Sequence, residues 1–157
     1  MIKLFAIGKN KNKHLQALCN EYLKRITPFM KITEEEFRDE PDVHSEREGE
    51  ARRIKEAEGA RVLSKIKPQD FVVLLDLHGK MVSSEEFARL REDWSSRPGD
   101  LVFVIAGSLG PSEDLVKRAN YRWKISDLTL THLMCRLIVL EQIYRSFMIE
   151  NHRTYHK

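Results

Sequence analysis

Apolar positions at the start of the chain come as a block. Ile2 to Ile7 reads Ile-Lys-Leu-Phe-Ala-Ile and stops at Gly8, which predicts a short buried strand. Lysines follow. Over residues 12 to 27, Leu15, Leu18, Tyr22 and Ile26 recur at helical spacing, and Pro28 ends that helix. Met30 to Phe37 predicts a second strand with a polar outer face. Arg38 to Gly49 is charged, contains Pro41 and lacks a period, so a loop is expected there. A helix is expected from about Glu50 to Ile66, with Ile54, Ala57, Val62 and Ile66 turned inward.

From Phe71 onward strand and helix patterns alternate. Phe71-Val-Val-Leu-Leu75 is a continuous apolar run of the kind a parallel strand shows when both its faces are covered. Asp76 to Lys80 is expected to be a loop. Ser83, with Glu86 three residues on, forms a capping-box pattern ahead of a helix whose inward stripe is Phe87, Leu90 and Trp94. Leu101 to Ala106 predicts another buried strand, broken by Gly107-Ser-Leu-Gly110. Pro111 and Ser112 open a short helix to about Ala119, and Trp123 to Ser126 predicts a last short strand. The final helix, from about Thr131 to Ile149, carries Leu133, Leu137, Leu140, Tyr144 and Phe147 in steps of four and three. This order predicts an α/β fold, a mainly parallel sheet flanked by helices, in a single domain over residues 1–157.

A chain of 157 residues is long enough to bury a sizeable core and too short for a second domain of useful size. No apolar run approaches the roughly 18 residues a membrane span needs. The opening segment is too short and too soon interrupted by lysines for a signal peptide, so a cytoplasmic protein without a membrane partner is expected. Cys19 and Cys135 stand alone, which suggests buried free thiols and neither a disulfide framework nor a metal site. Charge is segregated. Residues 1–29 carry six Lys/Arg against Glu21 alone, and residues 115–157 carry eight against three acids, each a balance of +5. Residues 31–59 carry six against eleven, a balance of −5. Such a chain can turn a cationic face to a polyanion, although solvated helix faces give the same pattern.

Ligands of open parallel sheets bind beyond the carboxyl ends of the strands. Here those ends are Asp76–Lys80, Gly107–Pro111 and Ser126–Thr131. Gly107 and Gly110 do not make a dinucleotide fingerprint, and Glu113 and Asp114 in the following helical turn would repel a pyrophosphate. A ligand with a positive centre and no phosphate suits that loop better; a plain strand-to-helix turn would look the same. His132 and Arg136 lie four apart on the last helix and share a face, where they could hold a phosphate or an enolate-like base oxygen, or simply be surface residues. Glu141 and Arg145 have the spacing of a helix-stabilising ion pair. The last helix also carries Met134, Ile138, Ile143 and Met148, and apolar residues on more than one side suit a subunit contact. Tyr155-His-Lys157, with Arg153 nearby, reads as a frayed basic tail or as an aromatic set to stack on an RNA base.

These segments together resemble the ribosomal RNA large-subunit methyltransferase H family. The resemblance rests on Ile2-Lys-Leu-Phe-Ala-Ile-Gly-Lys9, Gly79-Lys-Met-Val-Ser-Ser-Glu-Glu-Phe87 and Phe103-Val-Ile-Ala-Gly-Ser-Leu-Gly110. Ser126-Asp-Leu-Thr-Leu-Thr-His132 continuing into Arg136, Leu140-Glu-Gln-Ile-Tyr-Arg145 and the closing Tyr155-His-Lys157 complete it. It implies a deep C-terminal trefoil knot of the SPOUT class, an exception to the rule against threaded chains. It also implies a homodimer that uses S-adenosylmethionine, without a metal, to methylate N3 of a pseudouridine in 23S ribosomal RNA. The methyl donor would be held by Leu75, by Ala106, Gly107 and Gly110, and by Ile125, Ser126, Asp127, Leu128, Thr129 and Leu130. His132 would orient the base or take its proton, and Arg136 would steady the ring charge or hold a phosphate. Tyr155 and His156 would reach in from the tail. Three positions depart from the family pattern. Ala106 replaces a glycine and is expected to weaken donor binding modestly, and Thr131 and Thr154 replace prolines. The Thr131 hydroxyl is expected to cap the last helix. A ribosome-binding or assembly factor without a donor is the competing reading, and heat on mixing with S-adenosylmethionine separates the two.

Overall fold

The computed structural model describes residues 1–41 and 46–157. Its elements are β1 (Ile2–Ile7), α1 (Lys13–Ile26), β2 (Ile32–Phe37), α2 (Glu48–Leu63), β3 (Phe71–Lys80) and α3 (Ser84–Ser95), then β4 (Leu101–Ile105), α4 (Glu113–Arg118), β5 (Tyr121–Trp123) and α5 (His132–Glu150). The five strands form one sheet in the order β2-β1-β4-β3-β5, and every pairing is parallel.

Alternation along β1 shows why its apolar run has no polar gap beyond Lys3. Ile2, Leu4 and Ala6 enter a core shared with Ile26, Phe87, Trp94, Leu140 and Phe147, from α1, α3 and α5. Phe5 and Ile7 enter a second core with Val62 of α2 and Leu115 of α4. Both sheet faces are covered, so β3 and β4 are apolar on both sides as well. Polar side chains set the helix starts. Asn12, Ser83, Ser112 and Thr131 each accept backbone N–H groups of the first turn, contacts worth about 1 kcal/mol apiece. Thr131 therefore does the capping expected of it, with Oγ1 3.2 Å from the Met134 nitrogen.

Several boundaries differ from expectation, each for a tertiary reason. β3 continues through Asp76–Lys80, where a loop is expected. Asp76 accepts from Arg122 Nε at 2.7 Å and from the His78 N–H at 2.9 Å, and Lys80 pairs with Trp123 across a register shift. Gly79 crosses the β5 backbone so closely that a Cβ there would stand 2.6 Å from the Arg122 carbonyl oxygen. The last strand is Tyr121–Trp123 rather than Trp123–Ser126, because its partners Val73–Leu75 fix it there. Stacking of Phe87 on Trp123, with centroids 4.5 Å apart, holds that short strand from above. α2 starts at Glu48 and ends at Leu63, and tighter turns then carry the chain to Ile66. Residues 42–45 of the expected loop lie outside the described residues.

Candidate functional site

All strands being parallel, their carboxyl ends open on one edge. Register makes the exits of β4, β3 and β5 neighbours: Leu74 pairs with Val104, and Leu75 with Trp123. Ala106–Gly110 and Ile125–Leu130 therefore leave the sheet on either side of β3, in which Leu75 lies. Residues 106–112 and 124–131 enter no helix or strand, so their backbone groups are outside any ladder. Ala106 is buried, Leu75, Ile125 and Leu130 are half-buried, and Leu128 is 73% exposed. The Gly107 carbonyl accepts from the Gly110 N–H at 3.0 Å, which makes the strand-to-helix turn. Asp127 pairs with Lys124 at 2.5 Å, and Ser126 Oγ accepts from the Leu128 N–H at 3.0 Å. Thr129 is exposed.

A cavity of about 260 Å³ opens on the other side of the 106–110 turn. Its lining includes Ile7, Ile54, Glu58, Gly107, Leu109 and His132. The cavity thus shares Gly107 with the expected donor loops and His132 with the expected base-handling residues, and it does not include residues 125–130. His132 begins α5 and is half-buried. Its Nε2 lies 4.0 Å from the point where a Cβ on Gly8 would stand, which places it over the exit of β1.

Arg136 has a different fate from His132, although it is one turn further along the same helix. Its side chain is 0% exposed. Nη1 donates to Glu36 Oε2 and Nη2 to the Gly8 carbonyl, both at 2.6 Å, and Nε has no partner among the described residues. A guanidinium so enclosed presents no N–H to a phosphate, and the role expected of it gives way to fixing the β1 exit. Glu36 completes that arrangement by accepting the Asn10 N–H at 2.6 Å, and Asn10 Oδ1 accepts from Asn12, the cap of α1. Burial pushes the Glu36 carboxyl up, but the hydrogen bonds from Arg136 and Asn10 outweigh it and hold the group below its usual range. Lys9, Lys11 and Lys13, all exposed, ride on the segment so fixed.

The tail is elsewhere within one chain. Tyr155 OH donates to Glu141 Oε1 at 3.1 Å and lies 3.3 Å from Tyr22 OH. Burial first, then the Tyr22 and Glu141 contacts, raise its phenol. His156 lies 3.1 Å from Arg145 Nη1 and 2.6 Å from Glu85 Oε1. Glu141 also takes the expected ion pair with Arg145, at 2.6 Å. Nine residues of helix separate Glu141 from His132, about 13 Å along the axis. His132 and the tail pair are therefore not brought together within one chain. Glu36, Asn10 and Glu58 are polar residues of this edge that sequence reasoning missed.

A family profile described as Predicted SPOUT methyltransferase matches residues 1–156. The chain belongs to the SPOUT methyltransferase family. It is 43% identical over 157 residues to the ribosomal RNA large subunit methyltransferase H of Latilactobacillus sakei subsp. sakei (strain 23K), covering 99% of each chain. Two solved structures share the fold of this SPOUT chain. One is a methylase family protein from Haemophilus influenzae Rd KW20, with TM-score 0.50, 14% identity and 96% of this chain covered. The other is a methyltransferase from Legionella pneumophila in complex with bound SAM, with TM-score 0.53, 9% identity and 92% covered. The chain spans 66% of the length of each.

Proposed function

We propose that this protein is an S-adenosylmethionine-dependent methyltransferase of large-subunit ribosomal RNA, and that its target atom is N3 of a pseudouridine. The observation that carries the reading is the meeting of a full-length family match with two unladdered turns, 106–112 and 124–131, that leave strands on either side of Leu75. Those turns fit the donor: apolar Ile125, Leu128 and Leu130, with Leu75 beside them, suit an adenine, backbone groups outside the sheet ladder suit its edges, and among the described residues no cationic cradle calls for a phosphate. Family membership favours an enzyme over a donor-free assembly factor.

The donor supplies an electrophilic methyl group on a positively charged sulfur. The chain's own residues then have three tasks. The 106–110 and 125–130 turns hold the donor's reacting end toward the cavity, and placement of this kind accounts for a large part of such rate enhancements. His132 orients the base or accepts the N3 proton, so that the ring nitrogen attacks with its lone pair free. Arg136 acts as a positioning residue, holding Gly8 and Glu36 so that Lys9, Lys11 and Lys13 face the RNA backbone.

The same reading takes residues 1–157 as a single domain with a deep trefoil knot and as half of a homodimer working in the cytoplasm. In support of the knot, Gly79 lies close over Arg122 and the Lys124 N–H donates to the Lys80 carbonyl at 3.0 Å, so residues 79–80 stand against the exit of β5, where a threaded chain would have to pass. Support for the dimer is apolar exposure on α1 and α5, 48% at Leu18 and 38% at Met134. In a dimer, Tyr155 and His156 of the partner subunit have a route to the His132 end. No helix among the described residues is long and apolar enough to cross a membrane. Calorimetry with S-adenosylmethionine tests the donor site: one site per chain is expected, and its loss on changing Leu128 and Leu130 to Asp. No heat with the unaltered protein would overturn the reading.

A further inference from the structure

Glu58 sits on α2, in line with core residues Ile54 and Val62, and is only 4% exposed. It nevertheless lines the cavity together with His132, Gly107 and Leu109. Its Oε2 accepts the Glu40 N–H at 3.0 Å. The other oxygen, Oε1, packs against Gly107 so tightly that a Cβ there would stand 2.8 Å away. Among the described residues no donor is assigned to Oε1. Arg61, the cation near Glu58, is committed to the Glu40 carboxylate and to the Arg38 carbonyl. A carboxylate held in this way keeps one oxygen open to the cavity, where it can accept a hydrogen bond from a bound group.

The cavity restricts what that donor can be. At about 260 Å³ it has room for one extruded base. Asp39 and Glu40 at the lining repel a phosphate, and Ile7 and Ile54 offer an apolar wall to a ring. A pseudouridine differs from a uridine in one hydrogen-bond donor: its N1–H, which in uridine is the nitrogen joined to the sugar. We propose that Glu58 Oε1 accepts the N1–H of the target pseudouridine and so selects it over uridine. The proposal rests on the rRNA reading above.

The bond has a consequence for a conservative variant. Glu40 N–H and the base N–H meet different oxygens of the carboxylate, and a glutamine turns its NH2 group toward one of these two donors, so Glu58→Gln must give up one bond. Because burial disfavours the Glu58 carboxylate, and Asp39 and Glu40 add to this, the amide is expected to fold at least as well. The test uses full-length protein in single turnover on large-subunit rRNA carrying either pseudouridine or uridine at the modified position. The unaltered enzyme should prefer pseudouridine. In Glu58→Gln the pseudouridine rate should fall roughly 10- to 100-fold, the scale of one hydrogen bond to a charged group. The uridine rate should stay level, so that selectivity collapses while donor affinity and melting temperature hold. Equal loss on both substrates, or unchanged selectivity, overturns the assignment; Glu58→Ala, judged by the same ratio, guards against a repacked glutamine. If the unaltered enzyme methylates neither RNA, it is the rRNA reading that fails.

Discussion

Removing Glu36 should cost far more stability than its partial exposure suggests, and more than removing its partner. The Glu36 side chain is 33% exposed and Arg136 is 0% exposed. In Glu36→Ala the Arg136 guanidinium stays inside the protein with the Gly8 carbonyl as its remaining partner. Stranding a buried charge costs about 3–5 kcal/mol. For a chain of this size that is roughly 6–20 °C in melting temperature. Arg136→Met removes the charge and keeps much of the volume. Glu36 then rehydrates at its exposed side, and the loss is a donor to a buried carbonyl, about 1–3 kcal/mol. The double variant should cost less than the two single changes together by about 1–3 kcal/mol, the signature of a coupled pair. Urea denaturation at pH 7 and one fixed protein concentration measures all four corners, the concentration being fixed because dimerisation shifts apparent stability. If Glu36→Ala lies within 1 kcal/mol of the parent protein, a free-energy difference well below the estimate, the buried-clamp argument is wrong.

Other expectations follow from the same edge and core. Glu36 is depressed in the folded state, so its contribution is fully present above the ordinary carboxylate value of 4.5 and is lost as pH falls through the lower folded value; the gap between parent and Glu36→Gln in pH-dependent melting should be constant above that point and close below it, and a gap that widens with acid would contradict the sign. Gly79→Ala should cost about 1–3 kcal/mol by forcing apart two backbones, whereas Gly49→Ala, with no described residue within 4 Å, should gain about 0.4–1 kcal/mol; equal urea midpoints for the two would refute the close crossing. Burial, with a smaller contribution from Glu34, pushes the Cys19 thiol up to about 11, and burial raises Cys135 too. Ellman's reagent at pH 8 should therefore titrate neither in the native protein and both in denaturant, and fast native reaction at Cys19 would count against its placement. Deleting residues 154–157 should abolish RNA methylation and leave S-adenosylmethionine binding intact, as measured by filter assay and calorimetry; retained methylation would remove the tail from the site.

Much of this architecture was legible because local signals and tertiary demands agree. Ile2–Ile7 is a strand with the expected boundaries, since Gly8 interrupts an otherwise covered apolar run. Ser83 and Thr131 cap the helices they precede. Where long-range contacts decide, pattern fails: Asp76–Lys80 is polar and reads as a loop, and only its meeting with Arg122 and Trp123 makes it extended. The site shows the same division. His132 and Arg136 share a face by spacing, but one more helical turn carries Arg136 under the sheet edge, toward a glutamate distant in sequence. Glu36 looked like one of several solvated acids in an acidic stretch. Glu58 was detectable: it falls four residues after Ile54 and four before Val62, an acid in an apolar stripe, which is the pattern of a buried carboxylate.

The central claim is transfer of a methyl group to one nucleotide of large-subunit RNA. Ribosomes from cells lacking this protein should be incubated with it and with S-adenosylmethionine bearing a labelled methyl group, and the rRNA then mapped by mass spectrometry. One labelled methyl group at N3 of a single pseudouridine is the predicted result. Label that is absent, spread over many nucleotides, or placed on another atom would contradict it.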